Sequence, residues 1–266
     1  MVSLIGIPYD ANSSFLRGPA LAPARIRNME QEGSANQFSE TGKRISEGKA
    51  FKDYGDLSFQ NSTDPKQAFR TIERKMLKLL EKGNPVLSLG GDHSITYPIL
   101  QAYYRSFPNL HVLQLDAHTD LYDNFYGNPY SHASPFARIM ESGLVSSLTQ
   151  AGLRTITTHQ QEQITRFGVN TIEMRNWSTE FIHRLQGPLY ISLDLDVLDP
   201  AFAPGVSHHE PGGLSTRELI NIIHQIKVPV VGVDIVEYNP ARDVHDVTAM
   251  VGYKLMKELI AKMNDS

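Results

Sequence analysis

The stretch His111-Val112-Leu113-Gln114-Leu115-Asp116-Ala117-His118-Thr119-Asp120 decides how this chain is read. Its first half is a short, mostly apolar run, the pattern of a buried strand. Its second half sets an acid, an imidazole and an acid at alternate positions. In an extended backbone alternate side chains share a face, so Asp116, His118 and Asp120 are expected to project together at the strand's carboxyl end. Open parallel sheets form their ligand crevices at that end.

Two further strand ends carry similar chemistry. The run Leu189-Tyr190-Ile191-Ser192 leads into Leu193-Asp194-Leu195-Asp196, which puts Asp194 and Asp196 on one side. Pro85-Val86-Leu87-Ser88-Leu89 runs into Gly90-Gly91-Asp92-His93, where the glycines permit the close backbone approach that delivers His93 to the same edge. Together His93, Asp116, His118, Asp120, Asp194 and Asp196 offer four carboxylates and two imidazoles. So many negative charges in one cleft repel one another, and burying them uncompensated costs several kcal/mol. Two divalent cations cancel the four carboxylate charges formally. Hard oxygen donors with two imidazoles and no sulfur suit Mn²⁺ best, while Zn²⁺, Fe²⁺, Co²⁺ and Ni²⁺ remain compatible with the same ligands. Two such ions, on the order of 3.5 to 4 Å apart, can share a bridging water and make hydroxide available near neutral pH. A lone Asp-x-His is more often a surface turn, and a lone buried His a satisfied core residue. The joint pattern is what favours a metal centre.

The rest of the chain fits around these strand ends. Short apolar runs at Val2 to Ile5, Pro85 to Leu89, His111 to Leu115, Thr149 to Leu153, Leu189 to Leu193 and Val228 to Asp234 alternate with helical patterns. Asp64 to Lys82 is the clearest helix: Phe69, Ile72, Met76 and Leu79 recur at helical spacing behind an Asp64-Pro65 start. Ile95 to Ser106, Ser134 to Glu141, Ser215 to Gln225 and Thr248 to Met263 are the others. The expected fold class is α/β, a mostly parallel sheet flanked by helices, forming a single domain over residues 1–266. Two long loops follow strands, Leu121 to Ser131 and Asp199 to Leu214, and such loops are where an α/β domain keeps its site.

Composition limits the function classes. With 266 residues, 41% hydrophobic and 20% charged, the chain has the make-up of an ordinary globular protein. Its 29 acidic and 25 basic residues give a net charge of -4, which offers no footprint for nucleic acid or an anionic membrane, so a small-molecule substrate is expected. The absence of cysteine removes disulfides, thiolate metal sites and thiol nucleophiles together. No apolar run approaches the roughly 20 residues that span a bilayer, and the start Met1-Val2-Ser3-Leu4-Ile5-Gly6 lacks a basic leader, so a cytoplasmic location is expected.

At the residues quoted above the chain resembles the ureohydrolases, the arginase and agmatinase family. The resemblance rests on Gly90-Gly91-Asp92-His93-Ser94, Asp116-Ala117-His118-Thr119-Asp120, Ser192-Leu193-Asp194-Leu195-Asp196-Val197-Leu198-Asp199-Pro200 and Val236-Glu237-Tyr238-Asn239-Pro240. It implies a three-layer αβα sandwich and a homo-oligomer, trimer or hexamer. It further implies that the six residues named are ligands of two Mn²⁺ ions, with Asp120 also hydrogen-bonding the bridging hydroxide. Glu237 would pair with the guanidinium of the substrate. His132, in Tyr130-Ser131-His132-Ala133-Ser134, aligns with a mobile histidine of the family that shuttles a proton to the departing amine. The runs Tyr130 to Ser134 and Pro200 to His208 look most like the plant-type arginases. L-arginine is therefore the expected substrate, with agmatine or another guanidino or formimino compound the alternative. Arginine and agmatine differ by one α-carboxylate, and Asn128, a polar loop group able to satisfy it, is the candidate reader; Thr155-Ile156-Thr157 lacks the acidic pair with which animal arginases read the amino group. A single-zinc deacetylase of the same fold and a non-catalytic scaffold are the competing classes. His208 and His209, in the loop Gly205 to Gly213, carry no assignment.

Overall fold

A computed structural model describes residues 1–33, 35–59 and 64–265. The strands are β1 (Val2–Ile7), β2 (Phe51–Asp56), β3 (Val86–Gly90), β4 (His111–Leu115), β5 (Ser147–Leu153), β6 (Asn170–Glu173), β7 (Leu189–Asp194) and β8 (Val230–Val236). They form one sheet in the order β2-β1-β3-β8-β7-β4-β5-β6, every pair parallel. The helices are α1 (Ala22–Gln31), α2 (Pro65–Leu80), α3 (Thr96–Ser106), α4 (Pro135–Glu141), α5 (Thr158–Phe167), α6 (Thr216–Gln225) and α7 (Val247–Met263).

Residue alternation along the strands builds the expected three layers. One face of the sheet, including Leu87, Leu113, Ile191 and Val233, packs with Ile26 of α1, Leu219 of α6 and Leu259 of α7. The opposite face, including Ile5, Val86, Val112 and Tyr190, packs with Ile72 of α2, Ile99 of α3, Phe136 of α4 and Ile164 of α5. Strands covered on both faces are apolar nearly throughout, which is why their runs stand out in the sequence. The helix starts follow their caps: Asp64 accepts from the Lys66 and Gln67 amides, and Ser215 forms a capping box with Glu218.

β2, β6 and α5 give no clear apolar signal in the sequence. β2 and β6 are the two edges of the sheet, only partly buried, and their sequences Phe51-Lys52-Asp53-Tyr54-Gly55-Asp56 and Asn170-Thr171-Ile172-Glu173 contain no apolar run. An edge strand is held by its neighbour's ladder rather than by a pattern of its own. α5 is polar on most of its surface; its signals are the Thr157–Gln160 capping box and the left-handed Gly168 that ends it. β8 begins at Val230, two residues later than the run suggests, because Pro229 carries no amide hydrogen for the ladder.

The topology sets the function. β3, β8, β7 and β4 are neighbours at the centre of the sheet although they come from both halves of the chain. Their carboxyl ends are followed by His93, Glu237, Asp194 with Asp196, and Asp116 with His118 and Asp120.

Candidate metal centre

The acid and imidazole groups meet, but by tight turns rather than by extension. β4 ends at Leu115, and the Asp116 carboxylate accepts the His118 amide at 2.6 Å, folding the chain back at once. Asp120 lies in the left-handed region with φ of 50°. After β7 the Asp194 carboxylate accepts the Asp196 amide at 2.8 Å and opens a short 3₁₀ turn. Short polar side chains that bond their own backbone two residues on make such turns. At β3 the expectation about glycine holds: a Cβ on Gly91 would sit 1.8 Å from the Tyr9 carbonyl oxygen.

His93 is fully buried at the centre. Its Nδ1 lies 3.0 Å from Asp120 Oδ2 and 3.2 Å from both Asp116 Oδ2 and Asp194 Oδ2. Its Nε2 is 2.9 Å from Ser192 Oγ, and that hydroxyl spends its hydrogen on Asp234 Oδ1 at 2.7 Å. Ser192 must therefore accept from His93, which puts the ring proton on Nε2 and the Nδ1 lone pair toward three carboxylates. Among the described residues Nδ1 makes no hydrogen bond. A lone pair facing anionic oxygens is repulsive unless a cation sits among them, so the donor set fits a metal ion. On the other side His118 Nδ1 is 2.9 Å from Asp196 Oδ2 and 3.6 Å from Asp116 Oδ1.

Two groups of ligand atoms result: His93, Asp116 and Asp194, and Asp116, His118 and Asp196. Asp116 belongs to both, and Asp120 lies beside the first. The electrostatics of the site reflect the same crowding. Burial and the Asp116 charge push Asp120 up to about 6. Burial, then Asp196 and Asp116, hold Asp194 well above the usual carboxylate range. Burial opposes ionisation of Asp116 too, but His118 and His93 outweigh it and hold its carboxyl well below that range. Desolvation alone would lower both imidazoles; the surrounding carboxylates more than reverse this, and His93 and His118 rise well above their ordinary value. A site this avid for protons is avid for cations.

Glu237 and His132 form the next layer. Glu237, with φ of 64°, accepts the His93 amide and faces His132 Nδ1, both at 2.8 Å from Oε1. Non-glycine residues at positive φ are uncommon, and this strained backbone aims the carboxylate at the centre. His132 Nε2 is 2.8 Å from Ser14 Oγ, and the His132 amide donates to Asn12 O at 3.1 Å. Burial lowers the His132 pKa, the adjacent Glu237 raises it by more, and the ring reaches about 9. His208 lies on the same wall, its ring 5.5 Å from that of His132, while His209 turns away to bond the Pro204 carbonyl.

A cleft of about 220 Å³ opens over these groups, with His118, Asp120, Asp194, Asp196 and Glu237 at its base. Thr155, Gln160 and Glu210 stand on its walls, beside Tyr122 and Phe125. Asn128 is not on that lining: its carboxamide oxygen accepts the Tyr130 amide at 2.9 Å and shapes the loop instead.

Several supporting residues escaped the sequence reading. Gln114 donates to Asp116 Oδ2 at 2.6 Å, and Asp92, fully buried, accepts the Asn12 amide at 3.0 Å and so anchors the segment that brings Ser14 to His132. Asp234 accepts from Ser192, Tyr190 and Thr96. A signal existed for three of them: Gln114, Ser192 and Asp234 are polar residues inside apolar strands, where an unpartnered polar group is costly. Substituting Asp234→Asn is expected to lower metal affinity by roughly 10- to 100-fold while leaving kcat at saturating metal little changed; titration of the metal-free protein checks this.

The chain matches the arginase family over residues 1–261. The chain belongs to the arginase family. It is 46% identical to the mitochondrial arginase 1 of Arabidopsis thaliana, over 98% of this chain and 81% of that protein. The arginase of Medicago truncatula superposes with a TM-score of 0.92 at 42% identity, covering 98% of this chain and 87% of that one. The agmatinase of Bacillus subtilis is 32% identical, over 97% of this chain and 90% of that protein. This family member is a ureohydrolase with a binuclear metal dependence, and the single-zinc deacetylase and scaffold readings fall away. The expectation of a cytoplasmic location is overturned by the same comparison, because the Arabidopsis relative is a mitochondrial protein. Core composition and surface charge report how a chain folds, whereas cellular address is read from separate signals by receptors.

Proposed function

We propose that this enzyme hydrolyses L-arginine to L-ornithine and urea, with His93, Asp116, His118, Asp120, Asp194 and Asp196 as ligands of two Mn²⁺ ions. The observation that carries this reading is the sharing of Asp116 between two ligand groups at the base of one cleft. Two bound ions supply Lewis acidity, which brings the pKa of a water molecule toward neutrality. Everything else falls to the chain's own side chains. Glu237, whose carboxylate accepts hydrogen bonds at the cleft base, pairs with the cationic guanidinium and holds its carbon over the centre. A water oxygen would add to that carbon, the C–N bond to the chain nitrogen would break to release urea, and the departing amine needs a proton. His132, held between Glu237 and Ser14, is placed to deliver it and to regain one from solvent through the exposed Ser14.

On the walls, Glu210 offers a carboxylate for the substrate ammonium, and the Thr155 hydroxyl and Gln160 amide offer donors for an α-carboxylate. Agmatine lacks that carboxylate and would leave the donors unmatched. The greater identity to the plant arginase than to the agmatinase supports the same choice. Urea release after Mn²⁺ loading, with L-arginine, agmatine, guanidinobutyrate and formiminoglutamate side by side, tests it. The expected result is the highest kcat/KM with L-arginine, and a preference for agmatine would displace the proposal. Assembly as a homo-oligomer belongs to this reading too, and light scattering of the purified protein tests it.

Two substitutions separate the roles. Asp120→Asn is expected to abolish turnover, because the carboxylate oxygen 3.0 Å from His93 Nδ1 is lost or replaced by an amide donor. His132→Ala is expected to lower kcat by roughly 10²- to 10⁴-fold with KM little changed. An unaltered kcat would take His132 out of the proton path.

A further inference from the structure

We infer that Arg154 is a positioning residue that holds the Asp196 side of the metal centre and one wall of the cleft through backbone carbonyls. The inference rests on the two-ion reading proposed above and deepens it. Arg154 follows β5 directly. Its Nε donates to Glu210 O at 2.8 Å, Nη1 to Gly152 O at 3.1 Å and Val197 O at 3.3 Å, and Nη2 to Asp196 O at 2.5 Å and Leu198 O at 3.3 Å. A guanidinium has five N–H donors in a rigid plane, and here they reach five main-chain acceptors.

Those acceptors come from three places that share no ladder: the end of β5, the 3₁₀ turn Leu195–Val197 with Leu198 after it, and the far loop at Glu210. The middle group contains a proposed ligand. Asp196 Oδ1 accepts the Ala117 amide at 3.1 Å and Oδ2 faces His118, so the carboxylate is fixed at its tip while Arg154 fixes the residue at its carbonyl. The loop from Asp199 to Leu214 closes on the same turn: the Asp199 amide donates to Leu214 O at 2.9 Å and the Leu214 amide to Val197 O at 3.0 Å. A Cβ on Gly213 would lie 2.7 Å from Val197 O, so this closure is tight. Arg154 thus ties Asp196 to Glu210 on the cleft wall.

The other half of the centre stands on different supports. His93 is oriented by Ser192 and Asp234, and Asp194 is the last residue of β7, registered against β8. Asp194 meets the clasped turn through the Asp196 amide, which its Oδ1 accepts at 2.8 Å, but among the described residues Arg154 makes no hydrogen bond to His93, Ser192, Asp234 or Asp194. Loss of the clasp should therefore loosen one ion and spare the other, an asymmetry that general destabilisation would not produce. Lysine keeps the charge but concentrates three donors at a point, and cannot span five carbonyls.

The experiment titrates Mn²⁺ into the metal-free, full-length protein and its R154K and R154Q variants by calorimetry, alongside thermal melting of the metal-free forms and KM for L-arginine. The parent is expected to bind two equivalents. In R154K one equivalent is expected to weaken by roughly 10- to 100-fold and the other to keep its affinity, with the metal-free melting temperature close to the parent's and KM raised. A parent that binds fewer than two equivalents sinks the two-ion reading itself. A parent that binds two while R154K and R154Q match it sinks the clasp. Equal weakening of both equivalents, or failure of both variants to fold, makes Arg154 a general structural residue and also overturns the inference.

Discussion

Asp116→Asn is expected to leave the protein unable to hold either ion tightly and to reduce urea release by roughly 10⁴-fold, the scale of losing one member of a group that acts as a unit. Among the described residues Asp116 alone belongs to both ligand groups: its Oδ2 lies 3.2 Å from His93 Nδ1 and its Oδ1 3.6 Å from His118 Nδ1. Asparagine keeps the shape, but it removes one of the negative charges and turns an N–H donor toward one side. In the metal-free state the variant loses both the attraction of Asp116 for His118 and His93, which holds its carboxyl low, and the repulsion that raises Asp120 and Asp194, so each protein is compared with its own metal-free melting temperature. The two proteins are expected to diverge once Mn²⁺ is added. A ligand at about 1,000 times its Kd stabilises the native state by about 4 kcal/mol, and only the parent should show a thermal shift of that size. Two tightly bound equivalents in the variant would refute the shared-ligand geometry.

Glu237→Gln is expected to cost on the order of 10³-fold in kcat/KM with metal content unchanged, the scale of removing one partner from a buried ion pair. The glutamate faces His132 in the free enzyme, and in the proposed mechanism it faces the guanidinium in the complex. Glutamine is the informative substitution because it preserves volume and adds no side-chain clash at φ of 64°, whereas alanine would also empty a buried space. Burial works against the Glu237 charge and His132 restores it, so the carboxyl stays below its ordinary range. Removing the carboxylate must in turn lower the His132 pKa, and NMR titration of that ring in the metal-free protein should show it. Loss of one Mn²⁺ from the glutamine variant would make Glu237 a ligand instead of a substrate partner.

The cluster of acids and imidazoles was legible because its pattern is local. Asp116, His118 and Asp120 stand within five residues, each strand end announces itself by the apolar run before it, and charged groups at a buried edge demand compensation. The reason given for their convergence was nevertheless incomplete. Alternation along an extended strand predicts one shared face, but the chain leaves β4 at Leu115, and the turn is made by the Asp116 carboxylate bonding the His118 amide. Asn128 shows the same limit from the other side. A polar residue in a long loop beside the site reads as a substrate contact, but its carboxamide oxygen accepts from the loop's own backbone. The edge strands β2 and β6 left no trace because an edge needs only one partner and no buried face.

Residue chemistry and spacing along the chain therefore pointed to a cation-binding centre, the ligand atoms on offer and the strand ends that present them. Only the folded sheet decided that β3, β8, β7 and β4 lie side by side, that Asp116 faces both imidazoles, and that Ser192 and Asp234 stand behind His93. These are relations between segments far apart in sequence, set by strand order and register, and short-range periodicity records neither.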